Sequence, residues 1–530
     1  MLETRRSFSG LVSAPHHLAA ESGAAVLREG GNAIEAMISA AATIAAVYPH
    51  MNGLGGDCFF VITAPGREPV VIEASGRAGE QATTGWYADR GFGEVPGRGP
   101  EAALTVAGAV SGWEAAFELS KRRFGGRLPL PELLADAMAR AREGIPVSRS
   151  LHDNIVQKQG ELDKVPGFAR TYLEEGAPLS VGARLVQSRM ADTLEYLGKA
   201  GLADFYRGDV ARTLAADLVE VGAPLALADL EAHQAMVNQP LSTLVRGHRV
   251  FNVRPPTQGL ASLILLALYD RLGVSDADGF DFVHGLVEAT KSAFEIRDRH
   301  VTDPDYMSQP AEVFLAPDAL DRLAAGIDRK LASEWPRTAR PGDTVWLGAA
   351  DAEGTCVSFI QSLYWEFGSG VVLPQTGVTW QNRGASFSLD KGHLNALRPR
   401  RRPFHTIQPP VAHMTDDSVM SYGTMGGEGQ PQTQAVIFAR HVLHGQDLQT
   451  AVTAPRWLLG RTWGASSTSL KMESRFEDAL VEALRRAGHE IEIVGPFDPI
   501  MGHAGAVRRY PDGLIEGAAD PRSDGCVATV

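Results

Sequence analysis

The strand-forming runs of this chain lie far apart in sequence with helices between them, and that spacing limits what it can fold into. At Thr344 the texture changes sharply. TVWLGAAD, EGTCVSFIQSLYW, FGSGVVL and TGVTWQN follow one another as β-type runs, separated by Gly and by Asp or Glu turns. The earlier β-rich runs, CFFVITA with PVVIEAS and later HRVFNV, stand in a first part that otherwise reads mostly as helix. A strand with an apolar face must bury it against another element. Helices on both sides of β-runs from distant parts of the chain therefore predict one layered α+β or α/β unit rather than separate beads.

Local signals fill in that frame. Leu18 to Arg28 is Ala/Leu-rich and stops at Gly30-Gly31. The next helix starts at Asn32 with Glu35 three residues on, a capping-box pattern, and its narrow Ala face suits close packing on a sheet. CFFVITA and PVVIEAS read as a hairpin. LPELLADAMARAREG and LVQSRMADTLEYLGKAG are the clearest amphipathic helices in the stretch 100–245, and LASLILLALYDRL is a long apolar helix after Pro255-Pro256. The Arg/Pro-rich RTARPGD before Thr344 is expected to be an exposed loop. VMSYGTMGGEGQPQTQ leads into a helix, AVIFARHVLHG.

Composition excludes several classes. The 530 residues carry 50 Lys+Arg against 63 Asp+Glu, a net charge of −13, which disfavours a generalist nucleic-acid binder. Three distant cysteines, Cys58, Cys356 and Cys526, are too few for a disulfide framework or a zinc site and fit a reducing compartment. The start has two arginines but no apolar run after them, and Ala40 to Tyr48 is too short to span a bilayer. A cytoplasmic protein with no membrane partner is expected.

Candidate chemistry begins at Gly342-Asp343-Thr344. A Thr hydroxyl is a weak nucleophile unless a base adjoins it. Cutting before Thr344 would free an α-amine, with a reference pKa of about 7.7–8.0, to act as that base within one residue. The spacing alone equally fits a plain strand start. Tyr422-Gly423-Thr424-Met425-Gly426-Gly427 lies between a β-run and a helix, where glycine amides can approach a developing oxyanion; a simple strand–helix turn reads the same way. Gly53 to Gly56 lacks the spacing of a phosphate loop. The cluster Arg398, Arg400, Arg401 and Arg402 is expected to be a solvated face, with anion or nucleic-acid binding as the lesser reading. His16, His17 and Glu21 show no further ligand and are not expected to hold a metal. Cys356 reads as a small buried hydrophobe.

Together these segments resemble the γ-glutamyltransferase family of N-terminal-nucleophile hydrolases over nearly the whole chain. The likeness runs through SAPHHLAAESGAAVLREGGNAIEAMISAA, PHMNGLGGDCFFVI, RPPTQGLASL, DTVWLGAADAEGTCVSFIQS, FGSGVVLPQTG, RRPFHTI, YGTMGGEGQ and EGAADPRSDG. It implies an α+β fold, a four-layer αββα sandwich made as one precursor. It also implies self-cleavage between Asp343 and Thr344 into a large chain, 1–343, and a small chain, 344–530, intertwined as a heterodimer, with a higher homo-oligomer also compatible. It implies no cofactor and no metal.

Carried over residue by residue, the resemblance makes Thr344 the nucleophile. The family often reads Thr-Thr-His where this chain has Thr344-Val345-Trp346, and an ungapped match would put Val345 at the nucleophile. Thr344 with a strand bulge is the reading that keeps a hydroxyl there. Ser362 falls where a hydroxyl supports the nucleophile, Gly426 and Gly427 on the oxyanion-hole pair, and His405 and Thr406 where two serines line the pocket. The family's substrate-carboxylate Arg falls on Ser75, with Arg77 two residues on. Its Asn and Asp for the glutamyl head group appear as Tyr364 and Ser386. Without that Asp an α-ammonium lacks a partner, so γ-glutamyl substrates are expected to bind poorly. Arg77 or Arg383 with neutral polar groups suits a small anionic amide. SGRA, DTVW, SFIQS and WQNRG look most like the oxamate amidohydrolase branch. The alternatives are a γ-glutamyltransferase or glutathione hydrolase, and a non-catalytic, unprocessed ligand-binding relative.

Overall fold

Asn32 caps the second helix, Ala33–Val47, in the expected way: its side chain accepts from the Ile34 and Glu35 amides while Glu35 Oε2 accepts from the Asn32 amide. Every residue of that helix is buried, and its alanines let it lie against both a sheet and the preceding helix, His17–Arg28. His16 caps that first helix through Nδ1, which accepts from the Leu18 amide at 3.3 Å. The computed structural model describes residues 2–335, 343–460 and 468–530, so all of RTARPGD except Asp343 lies outside the described residues.

Two antiparallel seven-stranded sheets form the centre. The first runs in the order Cys526–Thr529, Gly10–Ala14, Asp343–Asp351, Cys356–Tyr364, Asp57–Thr63, Val70–Ala74, Met236–Asn238. The second runs Arg5–Ser7, Ile515–Ala519, Ala504–Arg509, Val419–Thr424, Val411–His413, His248–Asn252, Leu241–Val245. Each sheet thus takes strands from both sides of the Asp343–Thr344 bond. The helices His17–Arg28, Ala33–Val47, Ala109–Arg123 and Leu130–Glu143 cover the outer face of the first sheet. Gly259–Leu272, Phe280–His300 and Gly429–Phe438 cover the second. The result is a four-layer αββα sandwich, and CFFVITA with PVVIEAS is the expected hairpin.

Phe59, Val61, Trp346, Ile360, Ile407 and Val411 pack between the sheets. Trp346 is the wedge: a Cβ on Gly423 would lie 2.1 Å from its ring and one on Gly505 2.5 Å, so the facing strands carry glycine where the indole enters. Its Nε1 donates to Ser358 Oγ at 2.9 Å. Val345 points the other way, into the helix-covered core.

Two sequence expectations are corrected. FGSGVVL and TGVTWQN are not strands; they form loops joined by an isolated bridge between Val372 and Thr379. Gly368 and Gly370 take positive φ there, 58° and 80°, which turns the chain out of any ladder. The arginine cluster is not one solvated face. Arg398 and Arg400 are exposed, but Arg401 and Arg402 are buried. Arg402 bonds to Asp303 Oδ1 through Nε at 3.0 Å, and Arg401 donates to the Ala396 and Leu394 carbonyls.

Gly55 and Gly56 are glycines because backbone approaches them closely. A Cβ at Gly55 would fall 2.1 Å from the Thr379 carbonyl oxygen, and one at Gly56 2.2 Å from that of Ser362. Gly55→Ala is expected to destabilise the protein by about 3 kcal/mol, seen as a lower urea midpoint. An unchanged midpoint would contradict so close an approach.

Candidate active site

The ends of both sheets meet at Thr344. The register of its strand with Cys356–Tyr364 breaks between Asp343, opposite Tyr364, and Val345, opposite Gln361, so Ser362 and Leu363 together oppose Thr344 and the extra residue lies on the partner strand rather than on Thr344's own. It shares the parity of Trp346 and therefore faces the second sheet. It is fully buried; its Oγ1 donates to Ser362 Oγ at 3.3 Å and accepts from Gln430 Nε2 at 3.4 Å. Ser362 Oγ is itself fixed by the Tyr364 amide at 2.8 Å.

From the second sheet, Val419–Thr424 runs out through Gly426 and Gly427 into the helix Gly429–Phe438. Both glycines have positive φ, 111° and 50°, which frees this turn to present backbone amides at a helix N-terminus. Gln258 Nε2 ties the turn to the pocket strand by donating to the Gly427 carbonyl at 2.8 Å and the Thr406 carbonyl at 2.6 Å. Behind it, buried Arg297 donates to Gln258 Oε1 and to Glu428 Oε1, both at 3.1 Å.

The remaining wall is Tyr364, Arg383, Ser386, His405 and Thr406, all buried. Tyr364 leaves its strand with φ of 84°, a conformation a tyrosine rarely adopts, and its ring lies under the Arg383 guanidinium, 3.8 Å from Cζ. Arg383 opens the short helix Arg383–Ser386, and its Nη1 reaches Thr406 Oγ1 at 3.5 Å. Its Nε and Nη2 have no hydrogen-bond partner, and among the described residues it has no ion pair. Burial lowers its pKa to about 10, against the charges of Tyr364 and Asp57. Burial, then the charges of Arg383 and Arg402, hold His405 well below the ordinary histidine range.

The structure therefore brings Thr344, Ser362, Gly426, Gly427, Tyr364, Arg383, Ser386, His405 and Thr406 to one end of the sandwich. It does not bring Arg77 there: that side chain is exposed and donates to the Arg400 carbonyl at 2.9 Å. Asp57, Gln258 and Gln430 belong to the same cluster but carry no motif of their own. The one available signal was polarity out of place: Gln430, Gln432 and Gln434 stud a wholly buried helix, and Asp57 precedes the apolar run CFFVIT.

Among the described residues one His/Glu group has metal-like spacing, His284, Glu288 and His489. Its carboxylate is already held by Lys291 Nζ at 2.7 Å and by Ser333. Also among them, no helix is long and apolar enough to cross a membrane.

A threonine opposite a bulge in the neighbouring strand, a serine hydroxyl beside it and a glycine turn next to a buried polar cluster, all on an αββα sandwich, match the arrangement expected of an N-terminal-nucleophile site. The gamma-glutamyltranspeptidase family model matches residues 19–530, and the chain belongs to that family of enzymes. It is 52% identical over 522 residues, 98% of either chain, to the oxamate amidohydrolase proenzyme of Klebsiella pneumoniae. To a glutathione hydrolase-like proenzyme of Bacillus subtilis it is 38% identical over 525 residues, again 98% of either chain. The crystal structure of cephalosporin acylase from Bacillus halodurans matches with a TM-score of 0.92 at 32% identity, covering 100% of this chain and 97% of that one.

Proposed function

We propose that the chain is an autoprocessed amidohydrolase that acts through a Thr344 acyl-enzyme on a small anionic amide such as oxamate, giving oxalate and ammonia. The observation that carries this reading is Arg383: a buried guanidinium with two nitrogens unpartnered among the described residues, stacked on Tyr364, whose amide holds the Ser362 hydroxyl that meets Thr344. A buried cation left without a counter-charge is costly. A substrate carboxylate supplies that counter-charge and can bridge two guanidinium nitrogens. Arg383 rather than exposed Arg77 takes this role, and the likeness to an oxamate amidohydrolase proenzyme supports it.

In maturation, Thr344 Oγ attacks the Asp343 carbonyl carbon, the amide becomes an ester by an N→O shift, and water releases the Asp343 carboxylate. Residues 1–343 and 344–530 then remain together as a heterodimer, because each sheet needs strands from both. In turnover the freed Thr344 amine accepts the hydroxyl proton as Oγ attacks the amide carbon. The Gly426 and Gly427 amides stabilise the oxyanion, each worth about 3 kcal/mol at comparable acyl-transfer sites. The amine returns its proton to the departing ammonia, and water, activated by the same amine, cleaves the ester. Ser362 holds Oγ in line, and Gln430 braces it from the helix Gly429–Phe438 that covers the second sheet.

A γ-glutamyl substrate would need a carboxylate for its α-ammonium. Ser386 stands where the family's Asp would serve. Ammonia release from oxamate, measured beside γ-glutamyl anilide cleavage, tests the reading. Turnover of oxamate at least about a hundredfold more efficient is expected, a gap of about 2.7 kcal/mol. The reverse preference would overturn it.

A further inference from the structure

Asp57 opens the strand that pairs with the nucleophile's neighbour, directly opposite Ser362, and is 1% exposed. Its Oδ1 accepts from the Gly76 and Gly108 amides, each at 3.0 Å, and from Gln381 Nε2 at 3.1 Å. Among the described residues its Oδ2 has no hydrogen-bond partner, and it faces His405 Nε2 at 3.4 Å. That asymmetry fixes where a proton can sit. Oδ1 is filled by donors, so protonation falls on Oδ2, from which the hydroxyl can point at an unprotonated ring nitrogen of His405.

The charged and titratable groups around this carboxyl come from every element packed on it. Arg383 faces it from the short helix Arg383–Ser386, His405 from the strand-like segment beside Thr257, Tyr206 from the helix Asp204–Arg207, and Cys58 from its own strand. Arg383 is the cation among them, and each of the two feels the other's charge. Burial pushes the Asp57 carboxyl up to about 7, against the Gly76 amide and Arg383. The empty site can therefore hold its negative charge or give it up near neutral pH.

We propose that Asp57 determines the site's selection of anionic substrates by exchanging its charge for the substrate's: it balances Arg383 in the empty site and binds a proton on Oδ2 when a substrate carboxylate takes its place. This rests on Arg383 as the carboxylate anchor. A second negative charge entering so small a buried space would repel an ionised Asp57, so above about pH 7 each bound anion brings one proton from solvent. Below that pH Asp57 is already neutral and affinity does not depend on pH. Above it, KM for the anion rises, by up to about tenfold per pH unit. Asp57 acts through Arg383 and is a specificity-determining rather than a catalytic residue.

The test is KM for oxamate from pH 6 to 9 in the wild type and in Asp57→Asn, which keeps the Oδ1 acceptor and places an amide donor opposite His405. The Thr344 amine titrates in the same range but is common to both proteins. The ratio of wild-type to variant KM is expected to grow about fiftyfold between pH 7 and 9. A constant ratio would overturn the proposal. Asp57→Ser serves the same comparison where the Asn chain does not fold, and a wild-type KM that is flat over this range overturns the proposal without any variant. Absence of oxamate turnover would count against the substrate reading alone, because the oxamate dissociation constant, taken by calorimetry over the same pH range, then carries the identical comparison.

Discussion

Thr344→Ala should yield a single uncut chain of 530 residues with no measurable amidase activity. The alanine removes the one atom that both steps need. Without Oγ nothing attacks the Asp343 carbonyl, so no N-terminus is freed; without that N-terminus, Ser362 and Gln430 brace an empty position. Loss of a nucleophile that works as a unit with its base costs a factor of about 10⁴ or more in kcat. Thr344→Ser keeps the hydroxyl and should still be cut, which separates loss of chemistry from loss of fold. Intact mass under denaturing conditions together with ammonia release reads both outcomes. A cleaved, active alanine variant would remove Thr344 from the mechanism and reopen the case of an unprocessed ligand-binding relative.

Arg383→Met should do something rarer, lowering activity while raising stability. The guanidinium is 1% exposed, with two nitrogens unpartnered and no ion pair among the described residues, so the empty protein holds it against its desolvation. A methionine fills similar space over the Tyr364 ring without that cost, and at pH 6, where Asp57 is neutral and loses no balancing charge, the melting temperature should rise. Oxamate loses its anchor, and kcat/KM should fall about 10²–10³-fold, or about 3–4 kcal/mol, as for other truncated charge pairs. Turnover of the uncharged diamide, oxamide, should change by less than about threefold. A lower melting temperature with equal losses on both amides would make Arg383 a structural residue.

What could be read from the chain was what short-range physics writes into it. The Asn32–Glu35 cap, the Ala-rich helix and the hairpin after Gly56 each depend on neighbours in sequence. A bulge in the Thr344 strand was expected because valine has no nucleophile to offer, whereas the extra residue lies on the partner strand at Ser362 and Leu363. Long-range pairing was hidden. Trp346 looked like a departure at the cleavage point, whereas its role is to fill the gap that Gly423 and Gly505 leave between the sheets. Arg401 and Arg402 looked solvated because the groups that bury them, Asp303, Thr302 and the 394–396 loop, come together only in the fold. On paper Arg77 was the partner for the substrate carboxylate and Arg383 a further candidate; burial reverses that order. Asp57 had no signal beyond an acid before an apolar strand.

The strand Asp343–Asp351 runs through the interior of a seven-stranded sheet, hydrogen-bonded on both flanks. A cut at its first peptide bond frees an end without freeing a piece, so maturation alters chemistry and leaves shape alone. It also erases the instructions for building that shape. The precursor can find its fold because loop closure brings early and late strands together as parts of one polymer. The severed pair, once melted, would have to recover the same interleaving as a bimolecular encounter between two incomplete sheets. If the proposed cut is made, the finished enzyme would persist by the slowness of its unfolding rather than by an equilibrium it can revisit, and each molecule would have a single opportunity to assemble.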